Sequence, residues 1–115
     1  MSLGVTLYMM IDVGTSNKER IELYEANITH NMTTMANHAG IYKALWYPEE
    51  IGAKQAKDII EVLEQGLISM KSKPDYYKQY NPSNGWGSYD VFVGWVEDYL
   101  NACKRYPDAM IEVSR

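Results

Sequence analysis

Cysteine occurs once in this chain of 115 residues, phenylalanine once and histidine twice. The lone Cys103 excludes an intrachain disulfide and leaves no Cys-based zinc site. No apolar run approaches the roughly 20 residues that a membrane helix needs, and the first residues lack the basic-then-apolar order of a secretion signal. The expected location is cytoplasmic, with no membrane contact. On that expectation, the matches of Asn27-Ile28-Thr29 and Asn31-Met32-Thr33 to the glycosylation pattern are coincidences.

Positive charge is also scarce. A net charge of −4 and a pI near 5.1 argue against a protein that grips nucleic acid by its phosphates. Lys71, Lys73, Lys78, Lys104 and Arg105 are the available basic cluster and read as an ordinary solvated face. The acidic excess is too small to mark a nucleic-acid mimic. Catalytic signatures are missing as well. Gly14-Thr15-Ser16-Asn17-Lys18 has neither the glycine repeat nor the Lys-Ser/Thr ending of a phosphate loop, so it reads as a turn. No cofactor and no metal site are expected.

What is present describes a folded protein. With 46% hydrophobic and 23% charged residues the composition is that of a globular chain, and its length suits one domain, 1–115, with one core. Ten Tyr and three Trp stand against a single Phe. Such side chains pair an apolar body with a polar tip, which suits boundaries and contact surfaces.

Val5, Leu7, Met9, Ile11 and Val13 alternate with Thr6, Tyr8, Met10 and Asp12, the period of a strand with one buried face. After the Gly14–Lys18 turn, Arg20 to Glu25 alternates again, giving a hairpin with Ile21 and Leu23 inward. Tyr8, Met10 and Tyr24 then make the outer face more apolar than a solvated face requires, so either another element of the chain covers it or a partner, such as a second copy of the chain, does. Pro48-Glu49-Glu50 opens or leads into a helix whose stripe is Ala56, Ile59, Ile60, Leu63, Leu67 and Met70. Gly66 within it implies close approach by a neighbour. Ser88 caps a further helix with Tyr89, Phe92, Val96, Tyr99, Leu100 and Cys103 inward, and Ala109 to Ser114 alternates as a last strand. The expected fold is α+β: a small three-stranded sheet, antiparallel or mixed, in the order β-β-α-α-α-β, with one face covered by three helices.

The stretch from Ala26 to Glu50 holds both histidines. Ile28, Met32, Met35, Ala39, Tyr42 and Trp46 recur at helical spacing as a core stripe, while Asn27, Asn31, Thr34 and His38 form a parallel polar line on its flank. His30 falls on the far, solvated side. The flank is either capping and boundary bonding or the wall of a ligand site, where partial exclusion of water strengthens hydrogen bonds. The strongest loop signal is Asn81-Pro82-Ser83-Asn84-Gly85-Trp86-Gly87. Two glycines around a tryptophan favour a ring that plugs the helical layer. The functional alternative is an aromatic platform, with Asn81 and Asn84 offering amides, of the kind that sugars and nucleobases use.

The segments A-N-I-T-H-N at 26–31, A-G-I-Y-K-A-L-W at 39–46, P-E-E at 48–50, N-P-S-N-G-W-G-S-Y at 81–89, Y-L-N-A-C at 99–103 and Y-P-D-A at 106–109 resemble a family of short uncharacterised proteins of bacteria and their phages. The resemblance runs from about Ala26 to the end. It implies a phage or prophage association and no activity. Tyr47 stands where that family often carries a basic residue before P-E-E.

Two functions follow from these features. One is a binding or interaction protein that works through an aromatic-rich surface. The other is a ligand-processing or metal-binding enzyme with its site around Asn31, His38 and Trp86. The residues expected at the site are Asn27, Asn31, Thr34, His38, Asn84 and Trp86.

Overall fold

A computed structural model describes residues 1–14 and 17–115. Strands β1 (Ser2–Asp12) and β2 (Lys18–Thr29) form the expected hairpin, and β3 (Met110–Ser114) lies on the other side of β1 in a fully antiparallel sheet of order β2-β1-β3. The tip of the hairpin turn, at 15 and 16, lies outside the described residues. Between β2 and β3 the described residues form α1 (Thr33–His38), α2 (Tyr42–Trp46), α3 (Ile60–Ser72), α4 (Pro74–Lys78) and α5 (Tyr89–Arg105), joined by short 3-10 turns. The α+β class and the helices between hairpin and last strand match the expectation. The three covering helices do not, because the first of them is broken into short pieces.

Leu3, Val5 and Leu7 point into the core and are fully buried. Their cross-strand partners Ile28, Ala26 and Tyr24 share that face, as do Val113 and Ile111 of β3. Period two thus continues through Ala26 and Ile28, and the helix expected to carry Asn27 and Ile28 is corrected to a strand that runs to Thr29. Pairing with β1 supplies the backbone partners that a helix would otherwise supply.

A β-bulge separates Leu7↔Tyr24 from Tyr8↔Glu22, leaving Leu23 without a cross-strand partner. The extra residue leaves Ile21 on the expected face, paired with Met9, and inverts the expected facing of β2 from Tyr24 onward. Tyr24, expected outside with Tyr8 and Met10, turns inward and stacks on Tyr99 at 5.9 Å. The outer face therefore lacks one of the two rings of the expected contact surface. Tyr8 is covered by Arg20, whose guanidinium lies 4.0 Å above the ring and bonds Glu112.

β3 ends opposite Tyr8, so Met9–Asp12 and Lys18–Ile21 continue as a bare two-stranded ribbon. Met9, Ile11, Val13 and Ile21, expected in the core, are exposed on this arm. The sequence alternates correctly there, but no element reaches far enough to cover it.

α3 packs against α5, and α5 lies against β2. Gly66 of α3 lies against Ile41, where an added Cβ would sit 2.2 Å from Ile41 Cγ2. That is the close neighbour its position implies. Pro48-Glu49-Glu50 opens a 3-10 turn that ends at Gly52, not the long helix itself. α3 begins after Asp58, whose Oδ2 accepts from Lys54 and Gln55 N–H groups at 3.0 and 2.9 Å and holds that carboxyl below its usual range. Ser88 caps α5 through Val91 N–H as expected. Lys71 pairs with Glu97 and Lys104 with Glu64, so part of the basic cluster is taken up in surface pairs.

Candidate functional site

Where β2 ends, Thr29 Oγ1 accepts from Asn31 N–H and starts a 3-10 turn, His30–Met32, that leads into α1. This turn buries Met32 and leaves Asn31 outside. Gly40, at φ +76°, ends the helical run and separates α1 from α2. The single apolar stripe expected from Ile28 to Trp46 is thus carried by a strand, a turn and two helices. Met32, Met35 and Trp46 are still buried, and so is Ile41, which the stripe omitted. Strand and helix both bring these residues to one core, which is why spacing alone misread their backbone.

The loop from Asn81 to Ser88 docks against this turn. Asn31 Nδ2 donates to Asn84 Oδ1 at 3.4 Å and to the Trp86 carbonyl oxygen at 3.3 Å. Asn84 Oδ1 also accepts from Trp86 N–H at 3.0 Å, the local bond that shapes an Asx turn. Gly85 and Gly87 have φ +77° and +95°. Gly87 lies so close to the turn that a Cβ would be 2.7 Å from Met32 Sδ and 2.9 Å from Thr29 Cγ2. Only glycine combines that backbone angle with that clearance. Asn81 Oδ1, offered to a ligand only in the aromatic-platform alternative, accepts from Tyr89 N–H at 2.7 Å and fastens the far end of the loop.

These contacts hold Trp86 outward. Its relative exposure is 71%, which corrects the expectation of a ring plugged into the helical layer. With Asn27, Ile28, Thr29, His30, Asn31 and Asn84, and with Met1 and Ser2 at the edge, it lines a cleft of about 610 Å³, a size typical of small-ligand sites. Gly4, paired with Asn27, leaves space for the amide. A Cβ there would lie 3.0 Å from Asn27 Oδ1.

His30 is the residue that helical geometry placed wrongly. It is half-buried, and Trp46 Nε1–H donates to its Nδ1 at 2.9 Å. With Nδ1 accepting from Trp46, the ring is left with Nε2 to donate at the cleft. The signal was present in Thr29, a strong capping residue that ends the strand and turns His30 back over the core.

Four of the six expected site residues, Asn27, Asn31, Asn84 and Trp86, meet in this cleft. Thr34 lines a separate depression with Thr33, Asn37 and Tyr42. His38 stacks on Tyr80 at 4.1 Å with its Nδ1 3.4 Å from Tyr76 Oη. The set Asn31, His38 and Trp86 is therefore not assembled. Among the described residues no group of three His, Cys, Asp or Glu side chains is placed to hold a metal ion. Cys103 is buried, and burial pushes its thiol up to about 12, which suits a core residue and not a nucleophile. Among the described residues no helix is long and apolar enough to cross a membrane.

No protein-family model, curated protein or solved structure matches this chain.

Proposed function

We propose that the protein is a non-catalytic binding protein, phage- or prophage-associated and acting in the cytoplasm, that recognises its target through the Trp86 cleft. One observation carries the reading: a large aromatic ring is held in water by two positive-φ glycines and a set of side-chain bonds to a neighbouring turn. Exposing an indole forgoes about 1.5–3 kcal/mol of burial, and the local structure is built to keep it exposed. Amide groups left free of protein partners around such a ring suit a preformed recognition site. The phage or prophage association rests on the resemblance of the segments from Ala26 onward.

A fragment screen by fluorine NMR on fluorotryptophan-labelled protein tests this. Trp86, assigned with Trp86→Phe, is expected to shift with a subset of fragments while Trp95 stays in place. A library that leaves the Trp86 signal unmoved removes the reading.

The bare hairpin arm favours a second reading, self-association. Met9, Met10, Ile11, Val13 and Ile21 are exposed together on a two-stranded ribbon, a structure marginally stable by itself in water. Sedimentation velocity across a dilution series is expected to show a dimer that Met10→Lys weakens. A monomer at every concentration removes that version.

A further inference from the structure

We infer that the ligand of the cleft is a neutral sugar ring, bound with its C–H face on Trp86 and its hydroxyls among Asn27, Asn31, Asn84 and His30. This rests on the binding reading above and narrows it to one chemical class.

The first ground is charge. No Lys, Arg, Asp or Glu side chain lines the cleft. A nucleotide, a sulfated glycan or an acidic peptide brings anionic groups that binding sites meet with Lys or Arg. Here such a group would find no Lys or Arg side chain to pair with.

The second ground is the hydrogen-bonding inventory. After the loop contacts are counted, Asn31 keeps its Oδ1 acceptor, Asn84 keeps its Nδ2 donor, and His30 keeps its Nε2–H donor. Asn27 keeps both amide ends, all without partners among the described residues. Donors and acceptors are thus mixed within one small site. A hydroxyl both donates and accepts, and vicinal hydroxyls match the spacing of an amide's oxygen and nitrogen. A nucleobase edge has a fixed pattern and places no hydroxyls among such groups.

The third ground is shape. A pyranose has one apolar face of C–H bonds and a polar rim, the complement of an indole plane fringed by amides. Among the described residues no second ring stacks on Trp86 from the other side. An open, one-sided platform accepts a ring that continues into a longer chain, whereas a closed slot would not.

Isothermal titration and tryptophan emission on the full chain test the inference. The probes are methyl glycosides of glucose, galactose, mannose and N-acetylglucosamine, their soluble oligosaccharides, and adenosine for comparison. At least one saccharide is expected to bind saturably, with an affinity that changes little between low and high salt. Trp86→Ala is expected to weaken it by about tenfold or more, and Asn27→Ala by about threefold. Both side chains are exposed, so unchanged melting curves confirm that the variants fold. Saccharide failure while adenosine, or a fragment from the screen, moves Trp86 overturns the sugar assignment and leaves the binding reading standing. A steep salt dependence also overturns the sugar assignment. If no compound of any class moves Trp86, both fall.

Discussion

Gly85 and Gly87 offer a controlled comparison, because they share a positive φ and differ in what surrounds them. At Gly85, φ +77°, nothing lies within 4 Å of an added Cβ. At Gly87, φ +95°, the same methyl would meet Met32 Sδ at 2.7 Å and Thr29 Cγ2 at 2.9 Å, and Met32 is fully buried. Gly85→Ala should therefore lose only the backbone term, about 1–2 kcal/mol. Gly87→Ala adds overpacking against a core methionine, about 1–3 kcal/mol more, for a total of roughly 2–5 kcal/mol. Urea unfolding of both variants, with unchanged m values, measures the difference directly. If the loop detaches to relieve the clash, some of that loss returns. The Asn31 contacts to Asn84 and Trp86 then break, and Trp86 emission shifts in Gly87→Ala but not in Gly85→Ala. Equal stability losses, with equal emission spectra, would refute the claim that this loop is pinned to the turn at Thr29–Met32.

Gly66→Ala gains about 1 kcal/mol in helix propensity, yet its Cβ would lie 2.2 Å from Ile41 Cγ2 and 3.1 Å from the Ala39 carbonyl oxygen. A net loss of about 1–3 kcal/mol is expected, partly recovered in a cycle with Ile41→Ala, and independent additive losses would contradict the contact. Tyr99 has a buried hydroxyl with no partner among the described residues, and burial raises its ionisation well above the usual value. Tyr99→Phe should therefore be neutral or stabilising by about 1 kcal/mol in thermal unfolding, and a clear loss would reveal a hidden partner. The lowered ionisation of Asp58 comes first from the Gln55 N–H bond and then from the Lys54 N–H bond. A depressed folded value means that its contribution is present above the usual 3.8 and is lost as pH falls below 3.8 through the folded value. Asp58→Ala should flatten the stability profile across that acidic window, and an unchanged slope would show that the carboxylate does not cap the turn.

Much of the fold was legible because local patterns and tertiary demands agreed. Val5 and Leu7, the Ser88 cap, the stripe from Phe92 to Cys103 and the last strand all read as they fold. The errors share one cause. Ile28, Met32 and Met35 fit helical spacing whether or not Ile28 is helical, since a strand that ends at a tight turn can deliver its last residue to the same core. Tyr24 was misplaced because a bulge adds one residue and inverts a strand's facing, and nothing in Leu23 announces it. The site was half visible. Asn27, Asn31, Asn84 and Trp86 were named, but His30 depended on the turn at Thr29. Thr34 and His38 followed a helix that starts later than expected. Trp86 was misjudged because burial is the usual fate of a large ring. The bonds that hold it outward come from Asn31, 55 residues away in sequence.

The most direct test of the account is iodide quenching of tryptophan emission, paired with thermal unfolding, on the native chain and Trp86→Ala. Trp86 held in water predicts that the substitution removes most of the quenchable emission and leaves the melting temperature nearly unchanged. A melting temperature lowered by several degrees, with the quenchable fraction intact, would place the ring in the core and contradict the recognition site.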